Sequence, residues 1–211
     1  MDIKERAAKI VALLENEYPE ALCTLDYGKD YELLFSTRLA AQCTDARVNT
    51  VTPELFSRFP SLEALAAADI GEIEEIIRPC GFFHTKARDI SMSAAMLLSD
   101  FGGKVPDNME DLLRLPGVGR KTANIILGDV YHKPAVVTDT HCIRLSNRLG
   151  LASSKDPYKV ELALAAIIEP EKQSDFCHRL VLHGRAVCPA RSPRCESCCL
   201  APLCPYFSSS V

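Results

Sequence analysis

No run of apolar residues in this 211-residue chain approaches the roughly 20 that a membrane-crossing helix needs. The segment Met1–Asn16 carries acids and bases throughout, which excludes a secretory signal peptide. Together these absences make a cytoplasmic protein the expectation, and they leave no membrane partner. Alternation of period two is missing as well. Val136–Val137 is too short to count as a strand, so a sheet-based fold is left out. Internal repeats are absent, and the only low-complexity stretch is the tail Ser208–Ser210. An excess of positive charge is also lacking. The formal net charge of −4 argues against a general nucleic-acid binder, because such surfaces are usually basic.

The distribution of charge softens that last exclusion. Between Ser61 and Glu75 stand five acids, Glu63, Asp69, Glu72, Glu74 and Glu75, and no base. From Arg114 to Lys133 the bases Arg114, Arg120, Lys121 and Lys133 face only Asp129. From Glu171 to Arg194 the bases Lys172, Arg179, Arg185, Arg191 and Arg194 face Glu171 and Asp175. Positive charge is therefore concentrated in two stretches of an acidic chain.

What is present is helix after helix. Ile3, Ala7, Ile10, Val11 and Leu14 have helical spacing behind a capping-box pattern of Asp2 and Glu5. Further helices are predicted over Glu32–Ala41, Asp45–Phe56, Leu62–Ala67 and Ile70–Ile77, the last capped by Asp69. Thr85 is the expected cap of a long helix stopping at Gly102–Gly103, and Asp107 the cap of one ending near Leu115. Asp156 with Pro157 opens another, which Pro170 is expected to close. The fold class is all-α, with Tyr131–Pro134 as the candidate linker.

Two helical segments are separated by Leu115-Pro116-Gly117-Val118-Gly119-Arg120-Lys121-Thr122-Ala123. Gly117 and Gly119 permit a tight hairpin and leave backbone N–H groups uncovered at the start of the next helix, where the dipole favours an anion. Phosphate is the natural guest, Arg120 adds a cation, and Val118 can tuck into the core. Glycines chosen only for an αα-turn are the simpler reading. Lys121 suits a phosphate contact or a solvated side chain. As a nucleophile it must first lose its proton, which Arg120 and the positive helix end would promote.

Downstream, Val137-Thr138-Asp139-Thr140-His141 precedes an amphipathic helix closed by Gly150. Asp139 or Thr140 reads as an N-cap, and a capping carboxylate can also face a cleft. Cys23, Cys43, Cys80, Cys142 and Cys177 are scattered singly and read as small core residues. By contrast Cys188, Cys195, Cys198 and Cys204 form C-x6-C-x2-C-x5-C, with Cys199 as a competing thiol. Pro189, Pro193, Pro202 and Pro205 prevent a regular core helix there. Four thiolates in so short a loop point to metal ligation, and the spacing alone serves zinc or an iron–sulfur cluster equally.

The hairpin, the V-T-D-T-H segment, the L-H-G-R stretch at Leu182–Arg185 and the cysteine run occur in an order that resembles the endonuclease III family of DNA glycosylases. The likeness covers nearly the whole chain. It implies a two-domain all-α helix–hairpin–helix glycosylase fold, with DNA in a cleft between the domains. Residues 21–131 would form a six-helix domain, and residues 1–20 with 132–211 a second one carrying a 4Fe–4S cluster on Cys188, Cys195, Cys198 and Cys204. Cys199 would then be a bystander.

The resemblance further implies a bifunctional DNA glycosylase and AP lyase of base excision repair, which acts as a monomer on double-stranded DNA with damaged pyrimidines or abasic sites. In a bacterium it would be associated with the nucleoid. Lys121 matches the family's Schiff-base lysine and Asp139 its essential carboxylate. Gln42 matches the glutamine that enters the space left by a flipped nucleotide, and Phe82 aligns with an apolar wedge. Arg191 and Arg194 would contact phosphates. Phe82 stands where an aliphatic residue is commonest and Ala40 where serine is common, which leaves lesion preference open. Two related functions remain to be separated from this one. Adenine-removing glycosylases typically lack the lysine, and a non-catalytic helix–hairpin–helix protein needs neither Lys121 nor Asp139.

Overall fold

The computed structural model describes residues 1–208, so Ser209 and Ser210 of the tail lie outside the described residues. Among the described residues there is no strand, and no helix is long and apolar enough to cross a membrane. The chain divides into two compact units, Met1–Leu22 with His132–Val211, and Cys23–Tyr131.

The first helix, α1 (Ile3–Glu17), buries the stripe Ala7, Ile10, Val11 and Leu14. Its cap differs from expectation. Asp2 accepts from the neighbouring Ile3 N–H at 2.7 Å, and Glu5 turns to Lys9 one turn on, also at 2.7 Å, so the reciprocal box is not made.

The continuous unit holds α2 (Asp30–Leu39), α3 (Asp45–Arg58), α4 (Leu62–Ala67), α5 (Ile70–Ile77), α6 (Phe83–Phe101), α7 (Met109–Leu112) and α8 (Arg120–Ile125). Thr44, Ser61 and Asp69 cap α3, α4 and α5, each accepting a first-turn N–H. The long α6 is the spine on which α4 and α5 pack. Leu62, Leu65, Ile73 and Ile77 are buried there with Ala87, Ile90, Ala94 and Leu97.

Two expected caps are corrected here. Thr85 lies inside the first turn of α6, whose cap position is Phe82 in the left-handed region, so the chain direction is set by that turn and not by a hydroxyl. Asn108 replaces Asp107 as the cap of α7. Its extended backbone brings its side-chain oxygen to Asp111 N–H at 2.9 Å. Beyond Ile125, α8 widens into a π turn, Ile126–Val130, that buries Ile126, Leu127 and Gly128.

The hairpin between α7 and α8 is seated on a charge pair. Arg38 of α2 meets Asp89 of α6, with Nη2 2.6 Å and Nε 2.7 Å from the same carboxylate oxygen. Gly117 lies directly on this pair at φ +72, and a Cβ there would stand 2.5 Å from Asp89 Oδ2 and closer still to Arg38 Nε. Ser93 of α6 donates to Pro116 C=O at 3.0 Å, and the Val118 N–H donates to Leu115 C=O at 3.1 Å. Val118 itself is only half-buried. Gly119 is different. Its φ is −101 and a Cβ would meet nothing within 4 Å.

The other unit adds α9 (Thr140–Arg148), α10 (Pro157–Ala165), α11 (Gln173–Ala186) and α12 (Pro205–Ser208) to α1. α11 packs on α1 and α9. The glycine of L-H-G-R allows that approach, because a Cβ on Gly184 would lie 2.5 Å from His141 Nδ1. Asp156 caps α10 by accepting from Lys159 N–H at 3.0 Å, with Pro157 in the first turn. Pro170 does not close that helix. α10 ends at Ala165, and Pro170 opens a separate 3₁₀ turn leading into α11, the role its fixed φ and missing N–H suit.

Gly117→Ala is therefore expected to destabilise the protein by about 1–3 kcal/mol, from left-handed strain and displacement of the ion pair. Gly119→Ala should stay within about 0.5 kcal/mol of the parent. Thermal melts followed by circular dichroism of both variants check the contrast, and equal losses would contradict it.

Candidate functional site

In the continuous unit, Lys121 is the second residue of α8 and is exposed; Arg120 before it is half-buried. No side chain caps α8, since Gly119 occupies the cap position, and so the start of this helix is presented as backbone. Gln42 and Phe82 share two properties. Both are exposed, and both hold left-handed backbone, at φ +56 and +49, although neither is glycine. Phe82 is 66% exposed, so it is no core aromatic. Phe82 thus holds a large apolar side chain out on a strained turn.

Two features of this unit escaped the sequence reading. The Arg38–Asp89 pair spans 51 positions, and nothing local announces it. Lys86 is 1% exposed, and its ammonium donates to three backbone carbonyls, of Leu39, Ala41 and Cys80. A signal for Lys86 did exist. It shares the spacing of Ile90, Ala94 and Leu97, the buried face of α6. Burial pulls its pKa below the ordinary lysine range.

In the other unit, Asp139 caps α9 by accepting from Cys142 N–H at 2.7 Å through Oδ1. The cap makes no use of Oδ2. The preceding Val136, Val137 and Thr138 are buried, which anchors the carboxylate on a fixed stem. His141 packs against Gly184, with Nδ1 3.1 Å from Arg144 Nη2.

Cys188, Cys195, Cys198 and Cys204 all line one pocket, together with Leu145, Leu149, Val187 and Leu200; Cys199 does not. The cavity they line is small, about 20 Å³. Arg148 Nη1 donates to Cys188 Sγ at 3.1 Å, and His183 Nε2 lies 3.3 Å from Cys198 Sγ. Arg148 also donates to Pro189 and Ala190 C=O, and Arg144 to Cys188 C=O, so two arginines of α9 hold the start of the loop. Burial pushes the Cys198 thiol up to about 11 and lowers the pKa of His183. Among the described residues no group of three or more His, Cys, Asp or Glu side chains is arranged to hold a single metal ion. Arg191 and Arg194 are exposed on the same loop, flanking Ser192 at φ +52. Of the isolated cysteines, Cys80, Cys142 and Cys177 are buried, whereas Cys23 and Cys43 are only half-buried.

Residues 35–170 match the family of HhH-GPD superfamily base excision DNA repair proteins. The endonuclease III of Synechocystis sp. is 48% identical over 98% of this chain and 95% of its own length. That of Bacillus subtilis is 40% identical over 89% and 86%. Among solved structures, a trapped endonuclease III–DNA covalent intermediate superposes with a TM-score of 0.93 at 38% identity, covering 100% of this chain and 99% of that one. The family match takes in the hairpin and the V-T-D-T-H segment, the Synechocystis relative matches nearly the whole chain, and the chain belongs to the endonuclease III family of HhH-GPD base excision DNA repair proteins.

Proposed function

We propose that the protein is a bifunctional DNA glycosylase and AP lyase, which excises oxidised pyrimidines from duplex DNA and cuts the strand 3′ to the resulting abasic site. The observation that carries this reading is Lys121, an exposed amine in the first turn of a helix whose approach is bare glycine backbone. Phosphate binding alone needs only the hairpin amides and Arg120. An amine beside them has a further use. In neutral form its Nζ attacks the anomeric carbon of the damaged nucleotide, the bond from that carbon to the base breaks, and an imine forms as the sugar ring opens. The imine withdraws electrons from the adjacent C–H. Loss of that proton expels the 3′ phosphate by β-elimination.

Asp139 supports both halves of this sequence. Its carboxylate stabilises the cationic character of the sugar as the base departs and accepts the proton released by the attacking amine. Use of Oδ1 in the α9 cap fixes the group's direction without consuming Oδ2. Gln42 and Phe82 fill the place of the flipped nucleotide, the amide pairing with the orphaned base and the ring wedging the stack. Gly117, Gly119 and Arg120 hold a phosphate at the hairpin, and Arg191 and Arg194 hold others. The enzyme works as a monomer where DNA is kept, in the cytoplasm and at the nucleoid of a bacterium.

Cys188, Cys195, Cys198 and Cys204 would hold a 4Fe–4S cluster. The four line a single pocket, and the endonuclease III family to which the chain belongs is known for such a cluster. Hydrogen bonds to sulfur from Arg148, and from His183 when its Nε2 carries a proton, suit thiolates. Bound there, the cluster supplies a cross-link; the protein's part is to carry Arg191 and Arg194 on the tied loop.

Borohydride should trap a covalent adduct between the protein and duplex DNA bearing an abasic site or thymine glycol. Lys121→Ala is expected to abolish the adduct, and an adduct that persisted would overturn the mechanism. Asp139→Asn keeps an N-cap, since asparagine caps as well as aspartate. It should slow base release about 10²–10⁴-fold, with DNA affinity retained in a filter or anisotropy titration. Gly119→Ala should weaken that affinity despite its unchanged melting. For the cluster, purified protein should contain iron and acid-labile sulfide in similar amounts, lost on Cys198→Ser. Zinc without sulfide would refute the assignment.

A further inference from the structure

Gln42 follows the C-terminal end of α2 and Phe82 precedes α6, and each holds a left-handed backbone that costs a non-glycine residue about 1 kcal/mol or more. Something must hold both turns. One group reaches both. Lys86 Nζ donates to Leu39 C=O at 2.8 Å, to Ala41 C=O at 2.8 Å and to Cys80 C=O at 2.9 Å. The Ala41 carbonyl belongs to the peptide bond into Gln42. The Cys80 carbonyl belongs to the peptide bond into Gly81, next to Phe82. An ammonium has three protons, and these contacts use all of them.

The position is an expensive one for a charge. Lys86 is 1% exposed on the apolar face of α6, where a leucine or methionine would serve packing without desolvation. Two of its acceptors sit at the C-terminal end of α2, where unsatisfied carbonyls and the helix dipole favour a cation. The third comes from a different turn. Capping α2 alone does not require that third bond; joining the two turns does.

We infer that Lys86 is a positioning residue, which fixes the spacing of Gln42 and Phe82 so that both side chains enter the DNA stack as one preset pair. This role presupposes that Gln42 and Phe82 fill the vacated stack, as proposed above. With the turns untied, each left-handed residue can relax separately, and the cost falls on the step where a nucleotide is flipped and its place taken.

The test is single-turnover excision of thymine glycol from duplex DNA, with Lys86→Met made in the parent and in a Gln42→Ala/Phe82→Ala background. A 2-aminopurine opposite an abasic site serves as a second readout of stacking. In the parent, Lys86→Met should slow excision about ten- to a hundredfold, the scale of a displacement near 1 Å. In the doubly substituted background it should add no more than about twofold, because its partners are already gone. The 2-aminopurine response to the parent protein should be lost in Lys86→Met. A purely structural role would slow both backgrounds by the same factor, and that result, or no slowing in the parent, overturns the inference. If Gln42→Ala and Phe82→Ala themselves leave excision unchanged, the underlying assignment fails and this inference goes with it. Where Lys86→Met does not fold, Lys86→Gln, which keeps two donors without the charge, carries the same comparison.

Discussion

A guanidinium and a carboxylate meeting under a glycine hold the hairpin of this protein in place. Arg38 and Asp89 come from α2 and α6, both are largely shielded, and both arginine contacts fall on one oxygen. Such a pair gives little net stability, because its desolvation offsets most of its attraction. What it gives is a defined seat. The hairpin is held at a fixed height, since Gly117 rests directly on the two paired groups. α8 begins three residues later, so the place of Lys121 follows from a contact between α2 and α6.

Lys86 applies the same physics at the same ends of the same two helices. α2 delivers Arg38 to the hairpin and, at its C-terminal end, delivers Leu39 and Ala41 carbonyls to the ammonium. α6 supplies Lys86 in its first turn and Asp89 nearly one turn on. Two cations, one buried and one largely shielded, each answered by oxygen, thus set the register of α2 against α6. An apolar contact would tolerate sliding, because dispersion and apolar burial have no direction. Charge-assisted hydrogen bonds do not. The unit places these charges where they fix the backbone leading to Lys121, Gln42 and Phe82.

Much of this was legible in the sequence, and the reasons differ by element. Asp69 and Asp156 announced helix starts because each is followed by a run with helical spacing, and the structure uses each as a cap. Thr85 and Asp107 met the same rule and failed. Which residue caps depends on the backbone entering the helix, and at α6 that is a left-handed turn pinned by a lysine from within the helix. Cys188, Cys195, Cys198 and Cys204 were separable from the isolated cysteines by crowding alone, yet Cys199 could be set aside only by the resemblance. The pocket now gives an independent reason, because Cys199 does not line it. Lys121 and Asp139 were visible as candidates, and their roles came from the company they keep. The Arg38–Asp89 pair was illegible, since a contact between positions 51 apart leaves no periodic trace.

The acidic net charge takes on a different meaning once the side chains are placed. Duplex DNA rewards cations that reach its phosphates and is indifferent to acids held elsewhere beyond a screening length of roughly 10 Å. On α5, Glu72 and Glu74 are engaged with Arg58 and His84, respectively, which reduces the local repulsion that the five acids from Ser61 to Glu75 would otherwise exert. Several bases are engaged in holding structure. Arg38, Lys86, Arg144 and Arg148 are tied to oxygens and sulfur of the protein itself, so they add little to any attraction for phosphate. Lys121, Arg191 and Arg194 are exposed on motifs, and they define the cationic footprint. A formal charge of −4 is thus compatible with DNA binding through a few exposed cations placed on the motifs. Weak general attraction and strict local geometry suit an enzyme that must pass over undamaged duplex without holding it.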